Sequence, residues 1–433
     1  MKIVISHVYS SNNNGDAAIL SAQIDELDRT FSGPQMSIMT VDVVAPGYKF
    51  DGVPVINSLM YGSVSPANNI VKKFVLAFAM MLYTALFALV YKTFRRKLPL
   101  PDGWRKPLQL LVEADMQVCV GGGYLRAKDN HSSTVILMLM FHQIWLAKLL
   151  GKPVYLYAQS FGPYPKKIQY KIASWGLKQA DLLLVRESKS FALVKKIGVP
   201  RERIFQVPDS AFMFQPKVNP EARKWLGLSS QSSDKIVGVT ARTWLPAKEQ
   251  AQYEQALAAF IDSVSSRPGY KVAIIAQVTL EEQNDDDRVV GRRIYEMCKH
   301  KADVVFLDRR FNHYEIKSVF ANLTYLIGTR FHSVIFALTA GVPAIAIEYE
   351  HKTSGIMQDL DLGHWVIPME KVTAEGLKRK FAEMLEAAPN YRAHLSRVVP
   401  PYMARASDTG AIIQKDYELR VEAGSDLRKL PTE

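Results

Sequence analysis

Cysteine is scarce in this sequence: only Cys119 and Cys298 occur among 433 residues, far apart and without a CxxC pair. Their number and spacing exclude a disulfide scaffold and a zinc-finger protein, and they fit a reducing compartment. Only 22% of the residues are charged, and proline and glycine are not abundant, which excludes disorder for most of the chain. The N-terminus holds only a short apolar run. It therefore predicts a first strand and not a signal peptide, and we expect a cytoplasmic protein.

The net charge of +12 is concentrated in one region. Between residues 72 and 106 there are eight basic residues and a single acidic one, Asp102. The basic residues are Lys72, Lys73, Lys92, Arg95, Arg96, Lys97, Arg105 and Lys106. They flank an uncharged apolar run over residues 74–91. Nucleic-acid-binding proteins spread basic residues along a groove, whereas here they flank an apolar run. We therefore expect segment 70–97 to bind a membrane surface and not a nucleic acid.

As a helix, the apolar run would be about 27 Å long at about 1.5 Å per residue, which is close to the length that spans a bilayer. A single span would separate a predicted strand at 2–6 from a predicted strand at 116–120, so that no parallel sheet could join them. We therefore expect a helix that lies in the membrane interface or dips into it. A helix buried in the core or in an oligomer interface is the alternative.

Apolar segments typical of strands alternate with segments typical of helices along the whole chain, which indicates parallel sheets covered on both faces. The alternation is interrupted by a polar, proline-containing stretch. The sequence thus predicts an α/β protein with two domains facing a cleft. We expect an N-terminal domain over 1–215, a linker over 216–234, a C-terminal domain over 235–423 and a loose tail over 424–433.

Two segments after predicted strands suit a close approach of ligand to backbone. Residues 13–16 begin a helix, where an acidic residue disfavours an anion, so a sugar hydroxyl is the better ligand; a simple helix cap is the alternative. Residues 121–123 are three glycines, more than a tight turn needs. The candidate ligand-binding residues of these two segments are Asn14, Gly15, Asp16, Gly121, Gly122 and Gly123.

A third segment, GTRFHS, places Arg330 and His332 between a strand and the start of a helix. An arginine and a helix N-terminus favour an anion, and the histidine could transfer a proton, although a lone histidine is more often structural. Arg186, Arg242 and Lys352 follow other predicted strands. Each alone is more often a surface residue or an ion-pair partner, but several at one cleft would bind a small anion of multiple charge.

The remaining polar clusters predict no further chemistry. The acidic residues between 281 and 287 suit the first turn of a solvated helix. The histidines lack metal-ligand spacing, and the sequence contains no P-loop, no GxSxG motif and no Cys/His nucleophile signature. We therefore expect neither a metal nor a cofactor.

Several motifs occur in the order found in the polysaccharide pyruvyl transferases, which this chain resembles from about residue 3 to about residue 370. They are NNNGDAAIL, VCVGGGYL, AQSFGP, LLLVRESKS, FQVPDSAF, GVTARTW, GTRFHSVIFALTAGVPAIAIEYEHKTSGI and DLGHWV. The long block that contains GTRFHS and the trailing lysine is the most specific of them. The apolar segment 74–91 is the main part that the common pattern does not include.

The resemblance implies two Rossmann-like domains in a GT-B-like arrangement, the N-terminal one on the acceptor side and the C-terminal one on the donor side. It also implies the transfer of pyruvate from phosphoenolpyruvate to two hydroxyls of a sugar, giving a cyclic ketal and phosphate. The candidate residues at 14–16 and 121–123 would then bind the sugar acceptor. Arg330 and His332 match the arginine–histidine motif of the family. Arg186 matches a donor-binding arginine, Lys352 matches a lysine after the EY strand, and the match at Arg242 is looser. We expect these four cations to bind phosphoenolpyruvate, Arg330 and His332 to be catalytic, and His332 to transfer a proton.

The acceptor and two alternatives complete the expectations. A lipid-linked oligosaccharide would be met at the cytoplasmic face of the inner membrane, where segment 70–97 would hold the protein. A nucleotide-sugar-dependent GT-B glycosyltransferase is one alternative, in which Glu348 could bind a ribose. A non-catalytic glycan-binding scaffold is the other. His351 stands where many relatives carry other residues, and its role is open.

Overall fold

The computed structural model describes residues 1–42, 45–60, 70–229, 232–281, 285–350 and 352–427. The chain divides into two units. The first unit comprises residues 1–10, 19–210 and 405–433, and the second comprises 11–18 and 211–404. Of the predicted features, residues 230–231 of the linker, residues 282–284 of the acidic stretch, His351 and residues 428–433 of the tail lie outside the described residues.

The described residues of the first unit build one eight-stranded sheet in the order β3-β4-β2-β1-β5-β6-β7-β8. Its strands are β1 (Lys2–Val8), β2 (Gln35–Thr40), β3 (Lys49–Phe50), β4 (Val53–Asn57), β5 (Met116–Cys119), β6 (Val154–Gln159), β7 (Leu182–Val185) and β8 (Ile204–Gln206). All neighbours pair in parallel except β3 and β4. The central strands β5, β6 and β7 are buried along their whole length, as expected of a parallel sheet covered on both faces.

The helices between these strands are α1 (Asn14–Thr30), α2 (Ile70–Phe94), α3 (Asp102–Glu113), α4 (His131–Leu149), α5 (Lys167–Leu177) and α6 (Ser188–Ile197). Two helical segments, Phe74–Phe94 and His131–Leu149, are long and apolar enough to cross a membrane. However, α4 connects β5 to β6, which pair in parallel, so it is a crossover helix of the sheet. Helix α2 is likewise flanked by strands of one sheet, β4 and β5, which argues against a single span.

The second unit contains a six-stranded parallel sheet in the order β13-β10-β9-β14-β15-β16 and a short antiparallel pair, β11 and β12. Its strands are β9 (Lys235–Thr240), β10 (Tyr270–Ile275), β11 (Thr279–Leu280), β12 (Asp285–Asp286), β13 (Val304–Leu307), β14 (Tyr325–Gly328), β15 (Ala344–Glu348) and β16 (Val366–Pro368). Its helices are α7 (Glu221–Trp225), α8 (Ala247–Ser265), α9 (Asp287–Met297), α10 (His313–Ala321), α11 (Phe331–Thr339), α12 (Lys352–Asp359) and α13 (Ala374–Ser407). The predicted α/β fold with parallel sheets is confirmed.

The course of the chain differs from the sequence-based division in two places. Helix α7 and its contacts occupy part of the expected linker: the Asn219 N–H donates to Ser318 Oγ at 2.9 Å. For helix α13, the sequence pattern predicts an end near residue 387. The helix instead continues to Ser407, although it contains three prolines. Tyr391 and Leu395 are buried on it, and the Tyr391 hydroxyl donates to the Ala344 carbonyl. This packing holds the helix together where the prolines remove backbone hydrogen bonds. The next helix, α14 (Thr409–Leu427), is grouped with the first unit.

Candidate functional site

The start of helix α11 is fixed to the carboxyl end of β9. Strands β9 and β14 are parallel neighbours, and their last residues, Thr240 and Gly328, are paired. Thr240 Oγ1 accepts the N–H groups of Thr329 at 3.0 Å and of Arg330 at 3.3 Å, and it lies 3.0 Å from Ser333 Oγ. Arg330 is thus the N-cap of a helix that begins at the edge of the sheet where parallel α/β proteins bind ligands.

The Arg330 side chain is buried and held by two aspartates. Its Nε donates to both carboxylate oxygens of Asp287, at 2.9 and 3.1 Å, and its two terminal nitrogens reach Asp285. Burial alone would lower the pKa of Arg330, but the two carboxylates raise it above its ordinary value. The guanidinium is therefore permanently charged and already neutralised by protein groups.

Asp287 is not the solvated helix residue that the sequence predicts. It is 2% exposed, and its Oδ2 accepts the backbone N–H groups of Gln277 at 3.1 Å and Val278 at 3.0 Å. The short β11–β12 pair directly precedes α9, and the first residue of α9, Asp287, meets Arg330 after the end of β14. The expectation fails here because local sequence shows an acidic first turn but not the arginine that folds onto it.

Arg242, just after β9, lies between two aromatic rings. Its Cζ is 4.7 Å from the centroid of Trp244 and 4.3 Å from that of Tyr349. Its ion pair with Asp285 is long, at 3.3 Å, and the residue is only 9% exposed. Among the described residues, none accepts a hydrogen bond from its buried Nε. Arg242 is thus a desolvated cation whose Nε–H group is available to a ligand. Under this condition a guanidinium binds an anion strongly.

Lys352, at the start of α12, approaches the same ring from another element. Its Nζ lies 5.7 Å from the centroid of Tyr349 and 5.3 Å from that of Phe331, and it pairs with Glu350 at 3.1 Å. Burial by itself raises the pKa of the Tyr349 phenol, but Lys352 and Arg242 lower it below its ordinary value. Two predicted donor-binding cations, Arg242 and Lys352, therefore flank one half-buried tyrosine.

His332, in the first turn of α11, lies against Gly15. A Cβ atom added at Gly15 would be 1.9 Å from His332 Nδ1, so no other residue type fits there without moving the imidazole. The adjacent Asn14 donates from Nδ2 to the Gln277 carbonyl at 3.0 Å, which ties this N-terminal segment to the strand end before β11. The glycine therefore sets the position of the predicted proton-transfer residue.

Polar groups beside this contact are partly unused. Asn13 Nδ2 donates to Asp16 at 2.8 Å, and Asn13 Oδ1 accepts the Gly15 N–H. In the described part of the chain, no partner is found for the buried Oδ1 of Asn14 or for the side-chain amide of Gln277. Buried amide groups are normally hydrogen-bonded, so this edge of the second unit suits a hydroxyl-bearing ligand.

The three glycines of the first unit follow β5, and each has a local reason. A Cβ at Gly121 would come within 2.9 Å of Ile19, Gly122 has a φ of +140°, and Gly123 leaves a Cβ only 3.4 Å from Arg186. The neighbouring strands are strained as well, with φ of +65° at His7 and +42° at Ala158. Non-glycine residues with such angles cost about 1–3 kcal/mol each and cluster at functional sites. Acceptor binding by the glycines stays a prediction.

Arg186, at the end of β7, belongs to a buried network in the first unit. Its Nε donates to Ser160 Oγ at 2.6 Å, and its guanidinium pairs with Asp209 and, at 3.6 Å, with Glu187. The side chain is 1% exposed. Two carboxylates already compensate this cation, so its predicted role in donor binding stays a prediction.

The predicted residues thus fall into one set in each unit. The second unit brings together Arg242, Arg330, His332 and Lys352 with residues 14–16, and the first unit brings together Arg186 with residues 121–123. Sequence reasoning missed Asp285, Asp287 and Tyr349. The available signal was an acidic pair before a helix and a tyrosine directly after a predicted strand. Within the described ranges, no group of three or more histidine, cysteine or acidic side chains could hold a metal ion.

Comparisons with known proteins identify relatives of this chain in sequence and in fold. The AmsJ protein of Erwinia amylovora, an amylovoran biosynthesis protein, is 24% identical over 407 residues, covering 92% of this chain and 95% of AmsJ. The UDP-GlcNAc 2-epimerase of Neisseria meningitidis, solved with UDP-GlcNAc, has a TM-score of 0.59 at 9% identity, covering 97% of this chain and 100% of that chain. HepE of Anabaena, solved with UDP-glucose, has a TM-score of 0.57 at 13% identity, covering 98% and 100%.

The two solved structures share the fold alone, which is GT-B-like. The sequence pattern of the polysaccharide pyruvyl transferases, in contrast, matches residues 15–351, a range that includes all but two of the predicted site residues. The exceptions are Asn14 at one end and Lys352 at the other, each one residue outside the match. The chain therefore belongs to the polysaccharide pyruvyl transferase family and is a pyruvyltransferase.

Proposed function

We propose that this enzyme transfers pyruvate from phosphoenolpyruvate to two hydroxyls of one sugar in an exopolysaccharide precursor, forming a cyclic ketal and releasing phosphate. The observation that carries the proposal is the cluster at the edge of the second sheet. Arg242, whose Nε–H is unused among the described residues, and Lys352 flank Tyr349. The Lys352 ammonium also lies 5.3 Å from the ring centroid of Phe331, the first residue of α11. Such a set suits a small donor that carries both a phosphate and a carboxylate.

Three of the four predicted cations lie in the second unit, and they differ in how protein carboxylates hold them. Arg242 and Lys352 offer charge next to Tyr349, whereas Arg330 is held by Asp285 and Asp287. We assign Arg242 and Lys352 the phosphate and Arg330 the orientation of the site, with the carboxylate near the start of α11. No metal or cofactor takes part in the proposed route.

The proposed reaction is an addition followed by an elimination. His332 delivers a proton to the methylene carbon of phosphoenolpyruvate, C2 gains cationic character, and the first sugar hydroxyl attacks C2 as its proton is lost. Phosphate then departs, and the second hydroxyl closes the ketal. Positioning and compensation of the phosphate charge by fixed groups account for the larger share of the rate.

Removal of Arg242 tests the donor. Arg242→Ala is expected to weaken phosphoenolpyruvate binding about 10- to 100-fold, because a hydrogen bond to a charged group contributes about 1.5–3 kcal/mol. Isothermal titration calorimetry measures this directly. Arg292→Ala is the matched control, because Arg292 also pairs with an aspartate, Asp308, and lies 5.5 Å from the centroid of Phe306, but is half exposed.

The same titrations separate the alternatives. Binding of UDP-glucose or UDP-GlcNAc without binding of phosphoenolpyruvate would favour a glycosyltransferase. Binding of neither donor, with binding of a glycan, would favour a scaffold. Equal phosphoenolpyruvate affinity of Arg242→Ala and the wild type would contradict the assigned donor site.

We further propose that the acceptor is lipid-linked and is met at the cytoplasmic face of the inner membrane through segment 70–97. One face of α2 packs on the first unit: Thr84 Oγ1 lies 2.8 Å from His142 Nε2 in α4. The opposite face is apolar and half or more exposed at positions three or four residues apart. These residues are Val75, Phe78, Leu82, Leu86 and Leu89.

Charge supports a membrane as the occupant of this face. The basic residues at the end of α2 are all exposed, and they are Lys92, Arg95, Arg96 and Lys97. Anionic headgroups attract each such residue by about 1 kcal/mol, while the apolar stripe inserts in the plane of the interface. An in-plane helix satisfies both the packing on α4 and the exposure of its outer face.

Substitutions on the outer face test this association. The double variant Leu82→Asp/Leu86→Asp is expected to abolish co-sedimentation with phosphatidylglycerol vesicles, while wild-type binding falls as salt rises, because headgroup attraction is screened. Point changes are preferable to deletion of 74–91, which would also remove the buried Met80 and Phe87.

Leu419→Asp is the matched control, since Leu419 is an equally exposed leucine on another helix of the first unit. Unchanged vesicle binding of the double variant would contradict the proposal. A wild-type dimer that dissociates in the double variant, without vesicle binding by either, would identify the face as an interface between two copies.

A further inference from the structure

Tyr349 lies at the centre of the cations that we assign to the donor phosphate. It follows β15 directly and stands three residues before Lys352, at the edge of the sheet. The Arg242 guanidinium is 4.3 Å from its ring centroid and the Lys352 ammonium 5.7 Å. A phosphate held by both cations would therefore lie next to this side chain.

The charges around Tyr349 come from several elements. Arg242 follows β9, Arg330 caps α11, Lys352 begins α12, and Glu350 is the next residue in the chain. Burial raises the pKa of the phenol, Lys352, Arg242 and Arg330 lower it, and Glu350 raises it, with a net lowering. A phenol in this environment releases and regains a proton more readily than an ordinary tyrosine.

We propose that Tyr349 is a second catalytic residue, which protonates the departing phosphate and then accepts the proton of the second sugar hydroxyl. The role rests on the proposed pyruvyl transfer. In that reaction, His332 serves the methylene carbon during the first addition. A second proton carrier would serve the departing phosphate and the second hydroxyl. The phosphate leaves from the side of Arg242 and Lys352, which is the side of Tyr349.

The protons and bonds balance. In the first half, His332 gives its proton to the methylene carbon, a C–O bond forms at C2, and the proton of the first hydroxyl passes to His332. In the second half, the bond from C2 to the phosphate oxygen breaks and the Tyr349 proton passes to that oxygen, giving hydrogen phosphate and a phenolate. The second hydroxyl oxygen forms a bond to C2 and its proton restores the phenol.

Tyr349→Phe separates catalysis from packing, since phenylalanine keeps the ring that lies under the Arg242 guanidinium and meets Trp244 edge to face, and removes only the hydroxyl. We expect kcat for phosphate release to fall about 10²-fold, with the KM and the calorimetric affinity for phosphoenolpyruvate unchanged. Because the phenol acts first as an acid, wild-type kcat should fall at alkaline pH as Tyr349 ionises, and this limb should be missing from the variant. Nitrophenyl hexosides serve as acceptors.

Tyr295→Phe is the matched control, because Tyr295 also has a cation, Lys301, and an aromatic ring, Phe306, as neighbours. Near-wild-type kcat of Tyr349→Phe, or a raised KM with unchanged kcat, would overturn the proposed role while pyruvyl transfer stands. A wild-type enzyme that releases no phosphate from phosphoenolpyruvate with any hexoside would overturn the pyruvyl transfer on these acceptors and this role with it.

Discussion

His332→Ala is expected to lower turnover with phosphoenolpyruvate by about 10²–10⁴-fold, the usual cost of losing one general acid or base. Donor binding should persist, because Arg242 and Lys352 do not depend on the imidazole for their contacts with Tyr349. Single-turnover formation of the pyruvate ketal, followed by mass spectrometry of the sugar, measures the chemical step. Nearly full turnover of His332→Ala would contradict the assigned proton transfer.

Gly15→Ala provides an independent route to the same residue. Its added methyl group would lie 1.9 Å from His332 Nδ1, so the imidazole has to move and turnover should fall although every functional side chain is retained. Gly363→Ala is the matched control in the second unit, where an added Cβ meets only the flexible Gln358 side chain at 3.4 Å. Equal activity of both glycine variants would show that the position of His332 is not critical.

Continuous apolar strands were the most readable part of this sequence. The sequence pattern predicts the bounds of two strands and two helices, because each apolar pattern ends at a clear polar or turn residue. These elements are β7, β13, α6 and α10. The short strands β3 and β16 carry too few residues for a pattern. For helix α13, the sequence predicts an end before its three prolines. Burial of Tyr391 and Leu395 explains why the helix continues past that point.

The site residues that follow strands can be predicted from the sequence. The residues that reach the site through a long-range contact cannot. Arg242, Arg330 and Lys352 each follow a strand of the second sheet, so their shared edge follows from parallel pairing. Asp287 lies 43 positions before Arg330 in the chain and meets it only in the folded second unit. Such a long-range pair leaves no local pattern, and the acidic residues were therefore misread as a solvated helix start.

The pairing of Arg330 with Asp287 has an energetic consequence for the whole second unit. Arg330 is a predicted donor ligand, yet its side-chain donors already serve Asp285 and Asp287. A buried cation with fixed carboxylate partners sets a local geometry, here the start of α11 that carries His332. We therefore expect Arg330 to anchor the start of α11 as well as to bind the proposed donor.

Asp287→Ala is expected to destabilise the protein by about 3–5 kcal/mol, because it leaves a buried guanidinium without its main partner. It also removes the acceptor of the Gln277 and Val278 N–H groups. Urea denaturation followed by circular dichroism measures the loss. Asp308→Ala is the matched control: the pair of Asp308 with Arg292 is half exposed, and its removal should cost less than about 1 kcal/mol.

A second substitution separates the buried charge from the lost backbone contacts. Asp287→Ala/Arg330→Met removes both charges and fills the space with an apolar side chain, so it should recover part of the stability lost in Asp287→Ala. The remaining deficit reports the two backbone N–H groups that still lack an acceptor, at about 1–3 kcal/mol each. A double variant no more stable than Asp287→Ala would contradict the view that the unpaired Arg330 charge dominates the loss.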